Sequence, residues 1–309
     1  MAVHMSEIVL GAMLFGTRLT EQESFAVLDR FVERGGTWID TANCYSYWLD
    51  PAGQDGQSEE VLGRWLKARP GLRDRVRIAT KAGHGQVNGQ PEGLSAAAVR
   101  SAAEQSLRRL GVEHIDLYWT HVEDRSVPLE ETVGALGELH AAGVVGRLGV
   151  SNHPAWRVAQ ARDTARRLGV EPYTALQLRH SYLQPRVGAA IPETAHRFAW
   201  PETLDYVRTE PGLDLWAYTP LMNGAYVRDD RLADAFDHPG TARKRAALSE
   251  VARDLGVNAN QVVLAWLLGG DPAAWPIVGA SRLEWIDEAM DAAELKLDAE
   301  AWRRLDVQL

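Results

Sequence analysis

The sequence predicts one closed barrel of eight parallel strands, a (β/α)8 or TIM barrel. Short apolar segments rich in β-branched residues alternate with longer segments of helical periodicity along the whole chain, and this alternation is typical of βα units. Eight apolar segments are found, the number that closes such a barrel. With 309 residues and no evident linker, the chain is expected to form a single domain over residues 1–309, since barrels of about 250 residues or more fold as one unit.

The predicted elements follow one another in strict alternation. The strands are expected at Ile8–Leu14, Thr37–Thr41, Val76–Ala82, Ile115–His121, Gly146–Ser151, Tyr173–Leu178, Leu213–Thr219 and Trp275–Ala280. The helices are expected at Thr20–Arg34, Ser58–Lys67, Ser95–Leu110, Leu129–Ala141, Pro154–Leu168, Ala242–Leu268 with a break near Gly256, and Glu284–Ala293. A further helix over Asp298–Val307 is predicted outside the repeat, at the C-terminal end.

Several helix ends carry a recognisable local signal. Thr20 with Glu23 forms the pattern of a capping box, in which a hydroxyl and a carboxylate satisfy free amides of the first turn. Helix stops are expected at glycines, because glycine adopts the left-handed conformation that ends a helix. These glycines are Gly111, Gly143 and Gly169.

Two loops that follow strands are longer than usual for a βα connection. They cover Tyr45–Gln57 and Tyr182–Pro201, and both are expected over the C-terminal face, where barrel active sites form. The segment Gly83–Gly89 lacks the third glycine of a dinucleotide-binding loop and precedes Pro91, so it is interpreted as a flexible loop. The chain ends close behind its last predicted helix, so an open substrate pocket is expected.

Composition excludes several classes of protein. The formal net charge of −9 argues against a nucleic-acid-binding protein, which needs a basic face. Cys44 is the only cysteine, so no internal disulfide forms and a cytoplasmic location is expected. The longest apolar run, Val262–Leu268, is far shorter than the roughly 18 residues of a membrane span. None of the nine histidines has the spacing of a zinc site, so no metal is expected.

Four groups suited to proton chemistry fall at the ends of three predicted strands. Asp40 ends the second strand and Tyr45 follows it by five residues, while Lys81 and His121 end the third and fourth strands. Strands of a barrel present their carboxyl ends at one face. We therefore expect an acid, a phenol, an amine and an imidazole to form one site that moves a proton at neutral pH.

Each group has an expected task. An ion pair with Asp40 is expected to keep the buried Lys81 charged, and a charged Lys81 is expected to lower the pKa of Tyr45 from about 10 toward neutrality. Tyr45 would then act as a general acid on an oxygen. His121 is expected to donate a hydrogen bond to the same oxygen while negative charge develops on it.

These segments resemble the aldo-keto reductase superfamily, in order and across nearly the whole chain. The resemblance rests on Ile39–Tyr45, Ala79–Lys81 and Tyr118–His121, and it extends to Ser58–Gly63, Gly149–Asn152, Gln177, Ala217–Leu221 and Pro276–Ser281. It implies a TIM barrel, a nicotinamide cofactor, and a catalytic tetrad of Asp40, Tyr45, Lys81 and His121. The implied reaction is the reduction of an aldehyde or ketone by NADPH, with NADH as the other possible cofactor.

The resemblance also implies which residues contact the cofactor, with Asp40 among them. Around the nicotinamide, the residues implied are Ser151, Asn152 and Gln177 at the carboxamide and Tyr218 against the ring. Along the pyrophosphate they are Thr219, Pro220, Leu221 and Gly224, and around the adenosine end they are Gly279, Ala280, Ser281, Arg282 and Glu288. Arg282 suits a 2′-phosphate because its planar guanidinium matches phosphate oxygens. The family pattern is altered at Trp285 and Ala289, so the adenine and ribose contacts are expected to differ.

The expected partner is a small carbonyl compound, in a largely apolar pocket walled by Trp48, Trp119 and Val122. Neither a nucleic acid nor a membrane is expected as a partner, and no oligomeric state is predicted. Two alternatives stay open. One is a nicotinamide-nucleotide-binding regulatory or sensor protein with little turnover. The other is a pathway-specific reductase of a sugar or a secondary metabolite that acts on an enone.

Overall fold

The computed structural model describes residues 7–46, 55–87, 89–189 and 196–307, and it confirms the predicted barrel. Eight parallel strands close on themselves in the order β1-β8-β7-β6-β5-β4-β3-β2. The strands are β1 Val9–Gly11, β2 Trp38–Asp40, β3 Arg77–Ala82, β4 Ile115–Thr120, β5 Val145–Ser151, β6 Ala175–Arg179, β7 Asp214–Tyr218 and β8 Ala274–Gly279. Chain order is therefore also the order around the barrel, as expected when each βα unit is followed by its neighbour.

The helices surround this barrel. They are α1 Glu21–Glu33, α2 Gln57–Ala68, α3 Ala96–Leu110, α4 Leu129–Ala141, α5 Ala155–Leu168, α6 Pro201–Thr209, α7 Pro239–Leu255, α8 Ala259–Leu268, α9 Leu283–Glu294 and α10 Ala299–Leu305. The capping box at Thr20 is present, and α3 and α5 end at the left-handed glycines Gly111 and Gly169. The extra C-terminal helix is α10. Within the described ranges, no helix has both the length and the apolar character needed to span a membrane.

Two predictions about local structure were wrong. Helix α6 was missed, because it follows a long loop and is only nine residues long, with two of its residues buried. The segment read as a flexible loop contains a small antiparallel hairpin, in which Gln86–Val87 pairs with Gln90–Pro91. Its strands are two residues each and exposed, so they leave no periodic pattern in the sequence.

Tryptophans fill the inside of the barrel. Trp216 stacks on Trp275 with ring centroids 5.4 Å apart, and Trp38 and Trp119 each meet the Trp216 ring edge-on at 5.3 Å. All four side chains are at most 4% exposed. The interior is therefore a packed core rather than a channel, and its aromatic layers form a rigid floor beneath the carboxyl ends of the strands.

Gly149 in β5 shows how closely this core is packed. A Cβ atom at Gly149 would overlap the indole ring of Trp119 on the neighbouring strand. Because Trp119 occupies the space that a side chain at position 149 would need, only glycine fits there. The glycine of the Gly149–Asn152 segment is thus explained by packing.

Strand register brings the predicted polar groups to one layer. Side chains alternate along a strand, and those of Trp38, Ala79 and Trp216 lie in the barrel interior. Asp40, Lys81 and Tyr218 each come two residues after one of these on the same strand. Their side chains therefore also point into the barrel, one layer closer to the carboxyl ends of the strands. Ser151 and Gln177 pair directly across β5 and β6. The tryptophan layers therefore lie directly below a polar layer.

We expect two helix glycines to respond oppositely to alanine. At Gly134 in α4, a Cβ would meet no atom within 4 Å, so Gly134→Ala should raise the free energy of unfolding by about 0.5–1 kcal/mol through helix propensity. At Gly63 in α2, a Cβ would overlap the backbone oxygen of Arg109, so Gly63→Ala should lower it by more than about 1 kcal/mol. Urea denaturation of both variants measures this, and a Gly63→Ala protein as stable as the wild type would contradict it.

We also expect His180 to make the protein less stable in acid. Burial beside the Trp266 ring, whose centroid is 5.7 Å away, lowers the pKa of His180 from 6.5 to about 4, and Lys244 adds to this effect. An unfolded histidine binds a proton at a higher pH than the folded one, so the folded state has its full stability above about pH 6.5 and loses it as the pH falls toward 4. The loss approaches about 3 kcal/mol for this group.

The measurement is the melting temperature of the wild type and His180→Leu between pH 7.5 and pH 4.5. Buried His153 has its pKa lowered to about 4 in the same way, so the variant should retain a reduced acid dependence. Parallel curves for the two proteins would refute the contribution of His180.

Candidate active site

Asp40 and Lys81 form a fully buried ion pair at the carboxyl ends of β2 and β3. The Lys81 Nζ atom lies 2.5 Å from Asp40 Oδ2 and also donates to the backbone oxygen of Thr41 at 2.7 Å. The other carboxylate oxygen of Asp40 accepts a hydrogen bond from Gln177 Nε2 at 3.1 Å. Lys81 and Asp40 therefore each have one hydrogen-bond partner in addition to the ion pair between them.

Those additional partners matter because both groups are removed from water. Burial raises the pKa of Asp40 and lowers the pKa of Lys81, and the attraction between the two groups opposes both shifts. A buried pair is retained only where hydrogen bonds satisfy the remaining donors and acceptors, as Thr41 and Gln177 do here. We interpret the pair as charged, with the ammonium fixed at one position.

Tyr45 lies against this lysine. The Lys81 Nζ atom is 4.9 Å from the centroid of the Tyr45 ring. The loop that carries Tyr45 is held on both sides. Asn43 Nδ2 donates to Glu92 Oε1 at 2.7 Å, and Ser46 Oγ donates to the backbone oxygen of Met13 at 2.7 Å. The phenol is thus positioned by a loop tied to the neighbouring βα connections.

The expected lowering of the tyrosine pKa is wrong for this structure. Removal from water raises the pKa of Tyr45 well above its usual range, and the carboxylate of Asp40 raises it further. Burial and the Asp40 carboxylate together outweigh the stabilisation of phenolate by Lys81, whose charge is paired with Asp40 at 2.5 Å. Tyr45 therefore holds its proton at neutral pH, which is the state that a proton donor needs.

His121 completes the group as a neutral imidazole. Burial lowers its pKa well below the usual range, and the ammonium of Lys81 and the neighbouring imidazoles of His84 and His196 lower it further. Its ring centroid is 5.7 Å from that of Tyr45 and 5.1 Å from that of His84. All four predicted catalytic side chains are therefore brought together at one end of the barrel.

The residues predicted at the nicotinamide join the same hydrogen-bonded network. Tyr218 Oη donates to Asn152 Oδ1 at 2.8 Å, and Asn152 Nδ2 donates to Ser151 Oγ and to the backbone oxygen of His121, both at 3.1 Å. Gln177 connects this set to Asp40. Hydroxyls and amides offer the mixed donors and acceptors that a carboxamide requires, so the residues present fit a nicotinamide.

Backbone geometry marks the same two strand ends. In the described ranges, four residues other than glycine have positive φ angles: Asn152 at 60°, Thr219 at 53°, Met222 at 50° and Asn223 at 55°. Asn152 and Thr219 directly follow β5 and β7, and Met222 and Asn223 lie in the turn after β7. Such strained backbone gathers at ligand-binding sites, and left-handed turns form cradles for anions. The pyrophosphate assignment of Thr219, Pro220, Leu221 and Gly224 fits this turn, and a Cβ at Gly224 would meet open space.

The residues predicted at the adenosine end run from the last residue of β8 into α9. Gly279, Ser281 and Arg282 are exposed, whereas Ala280 is buried. The Arg282 guanidinium lies 5.6 Å from the centroid of the Trp285 ring, which holds a cation at the surface. Glu288 accepts a hydrogen bond from Asn260 Nδ2 at 3.0 Å. This group therefore lies at the carboxyl end of β8 and in the first half of α9.

The residues predicted to line the substrate pocket have different positions. Trp48 lies outside the described residues. Trp119 is fully buried in the barrel core, so it supports the site from below and leaves the open walls to other residues. Val122 is half-buried directly after His121. In the described ranges, no group of three or more histidine, cysteine or acidic residues could hold a metal ion.

Sequence reasoning missed two residues that border the site. His84 follows Lys81 by three residues and its ring lies beside His121, and its position after a strand end was the available signal. Arg197 donates through Nε to the backbone oxygen of Asn152 at 3.1 Å, and its backbone amide donates to Asn152 Oδ1 at 3.2 Å. Arg197 comes from the second long loop, and no sequence pattern connected it to Asn152.

Comparison with known proteins agrees with this geometry. The model of the aldo/keto reductase family matches residues 7–308. Norsolorinic acid reductase stcV of Emericella nidulans is 31% identical over 322 residues, covering 96% of this chain and 76% of that protein. The aryl-alcohol dehydrogenase [NADP(+)] of Phanerodontia chrysosporium is 30% identical, covering 98% of this chain and 82% of that protein.

A bacterial relative matches an equally large part of the chain. The uncharacterized oxidoreductase YrpG of Bacillus subtilis is 28% identical over 319 residues, covering 98% of this chain and 92% of that protein. The matches run through the barrel strands and the site described above. The chain is therefore an oxidoreductase that belongs to the aldo/keto reductase family.

Proposed function

We propose that this protein reduces an aldehyde or ketone to an alcohol with NADPH, and that Tyr45 supplies the proton. The observation that carries the proposal is the position of Lys81, whose Nζ atom lies 2.5 Å from Asp40 and 4.9 Å from the centroid of the Tyr45 ring. A binding protein has no need for a buried, oriented ammonium beside a phenol and an imidazole, whereas general acid catalysis does. A cytoplasmic location stays a prediction from the single cysteine.

Tyr45 is the proton donor in this proposal. Its phenol is protonated at neutral pH because its pKa is raised. As negative charge develops on the carbonyl oxygen, the phenol releases its proton to that oxygen, and Lys81 stabilises the phenolate that remains. Asp40 fixes the position of Lys81. His121, held neutral by burial, donates a hydrogen bond that orients the carbonyl.

The cofactor would be held by the residues at three strand ends. Ser151, Asn152 and Gln177 suit the carboxamide, and the ring of Tyr218 suits the nicotinamide face. When bound there, NADPH supplies the hydride that the carbonyl carbon accepts. Lys81 is 0% exposed and His121 is 8% exposed, which limits the access of water to these two groups.

NADPH is proposed over NADH on the basis of Arg282. This arginine is exposed at the end of β8 and lies over Trp285, so its planar guanidinium is available to a 2′-phosphate. A relative that is 30% identical carries NADP(+) in its name. The position of Arg282 and the name of this relative both concern the 2′-phosphate, the group that distinguishes NADPH from NADH.

We expect Tyr45→Phe to lose carbonyl reduction while binding NADPH. Removing the hydroxyl removes the proton donor, so kcat should fall by about 10²- to 10⁴-fold, the contribution typical of general acid catalysis. Absorbance at the nicotinamide band measures turnover with a panel of aryl and alkyl aldehydes, ketones and enones. Quenching of tryptophan fluorescence measures the Kd for NADPH, which should change less than about threefold.

The outcomes separate the possible reactions. A Tyr45→Phe variant with wild-type kcat on aldehydes would refute the role of Tyr45. If the wild-type protein reduces only enones, the proposed reaction is the reduction of a conjugated double bond and not of a carbonyl group.

We expect Arg282→Ala to weaken NADPH binding selectively. A charge-assisted contact with phosphate is lost, so the Kd for NADPH should rise about 10-fold or more, while the Kd for NADH stays unchanged. Arg108→Ala is the matched control, because Arg108 is exposed near the end of α3 and should affect neither Kd. Equal weakening of both cofactors by Arg282→Ala would contradict the assignment of a 2′-phosphate contact.

A further inference from the structure

Cys44 contacts the Nδ1 side of the His121 imidazole, and the proposed function gives this nitrogen no role. Its Sγ atom lies 3.6 Å from His121 Nδ1, within the range of a sulfur hydrogen bond. The cysteine is 0% exposed and His121 is 8% exposed, so water has little access to this contact. Cys44 directly precedes Tyr45 in the loop that carries the proposed acid.

The loop fixes where the thiol stands. The backbone amide of Asn43 donates to the Lys81 backbone oxygen at 3.1 Å, and that of Tyr45 donates to the Ala42 oxygen at 3.2 Å. His121 is held independently, because its amide donates to the Ala82 oxygen at 2.8 Å and its own oxygen accepts from Asn152. The distance from sulfur to nitrogen is therefore set by two anchored segments.

The direction of the hydrogen bond follows from the chemistry of the two groups. Burial raises the pKa of the Cys44 thiol, so the sulfur keeps its proton. A neutral imidazole carries one N–H donor and one strong nitrogen acceptor, whereas thiol sulfur is a weak acceptor. The thiol proton is therefore best placed on the line from Sγ to Nδ1, with Nδ1 accepting.

We infer that Cys44 is a positioning residue that holds His121 in the tautomer with its proton on Nε2. With Nδ1 engaged as an acceptor, Nε2–H is the donor that can face a substrate oxygen. The catalytic consequence rests on the proposed function of His121, whereas the tautomer itself does not. A cysteine performs this task because it combines the volume of a small apolar residue with one weak donor.

Nuclear magnetic resonance of the full-length protein labelled with ¹⁵N-histidine tests the tautomer directly. Two-bond ¹H–¹⁵N correlations distinguish a protonated ring nitrogen from an unprotonated one, and a His121→Asn sample identifies the signals of His121. In the wild type at pH 7.5 we expect Nε2 protonated and Nδ1 unprotonated. A wild-type spectrum with the proton on Nδ1 would overturn the inference whatever the activity of the enzyme.

Three substitutions separate the hydrogen bond from packing. Cys44→Ser retains a donor and should retain the wild-type tautomer. Cys44→Val fills the space without a donor and Cys44→Ala leaves it empty, and both should shift the Nδ1 resonance toward a mixture of tautomers. An unchanged Nδ1 resonance in both donor-free variants would refute the inference, and the melting temperature of each variant shows whether it is folded.

Turnover provides the functional measurement. Cys44→Val should lower kcat/KM about fivefold, the scale of one hydrogen bond between neutral groups, while Cys44→Ser stays within about twofold of the wild type. The Kd for NADPH should be the same in both. If the wild type reduces no carbonyl compound, the proposed function fails, and the spectra still decide the tautomer. If kcat/KM falls equally in Cys44→Val and Cys44→Ser, the hydrogen bond has no part in turnover and Cys44 contributes only packing.

Discussion

The buried ion pair between Asp40 and Lys81 is the interaction on which the rest of the site depends. Two charges are held 2.5 Å apart out of water, and such a pair survives only when its other donors and acceptors are satisfied. Gln177 and the backbone of Thr41 provide this. Because Gln177 is also one of the residues predicted at the nicotinamide, the hydrogen bond that it donates to Asp40 links the ion pair to that predicted set.

The tryptophan core gives this polar layer its rigidity. Four indole rings pack edge-on or stacked across the barrel interior, and the side chains of a close-packed core cannot shift independently. Gly149 leaves the space that the Trp119 ring occupies. The polar residues two positions further along the strands therefore start from fixed Cα positions, and their hydrogen bonds need to supply only the final orientation.

The environment of the site favours neutral forms of its two proton-handling rings. Burial raises the pKa of Tyr45 and lowers the pKa of His121, so both rings are neutral at pH 7 and can act as hydrogen-bond donors in the proposed reaction. In the proposed reaction, Lys81 stabilises the phenolate that remains, and its pairing with Asp40 makes this effect smaller than that of an unpaired ammonium. This differs from the expectation drawn from the sequence, which considered the lysine without its buried counterion.

The sequence by itself determined the barrel, its eight strand positions and the four candidate catalytic residues, because short apolar segments rich in β-branched residues and polar strand ends are local patterns. Helix α6 escaped it because it has only nine residues and follows a long loop, and the hairpin escaped it because its two-residue exposed strands leave no periodic signal. Only the tertiary structure decided that Cys44 lies against His121, that Arg197 binds Asn152, and that Trp119 supports the site from below. These contacts join segments far apart in the chain, and they depend on register and packing that no local pattern encodes.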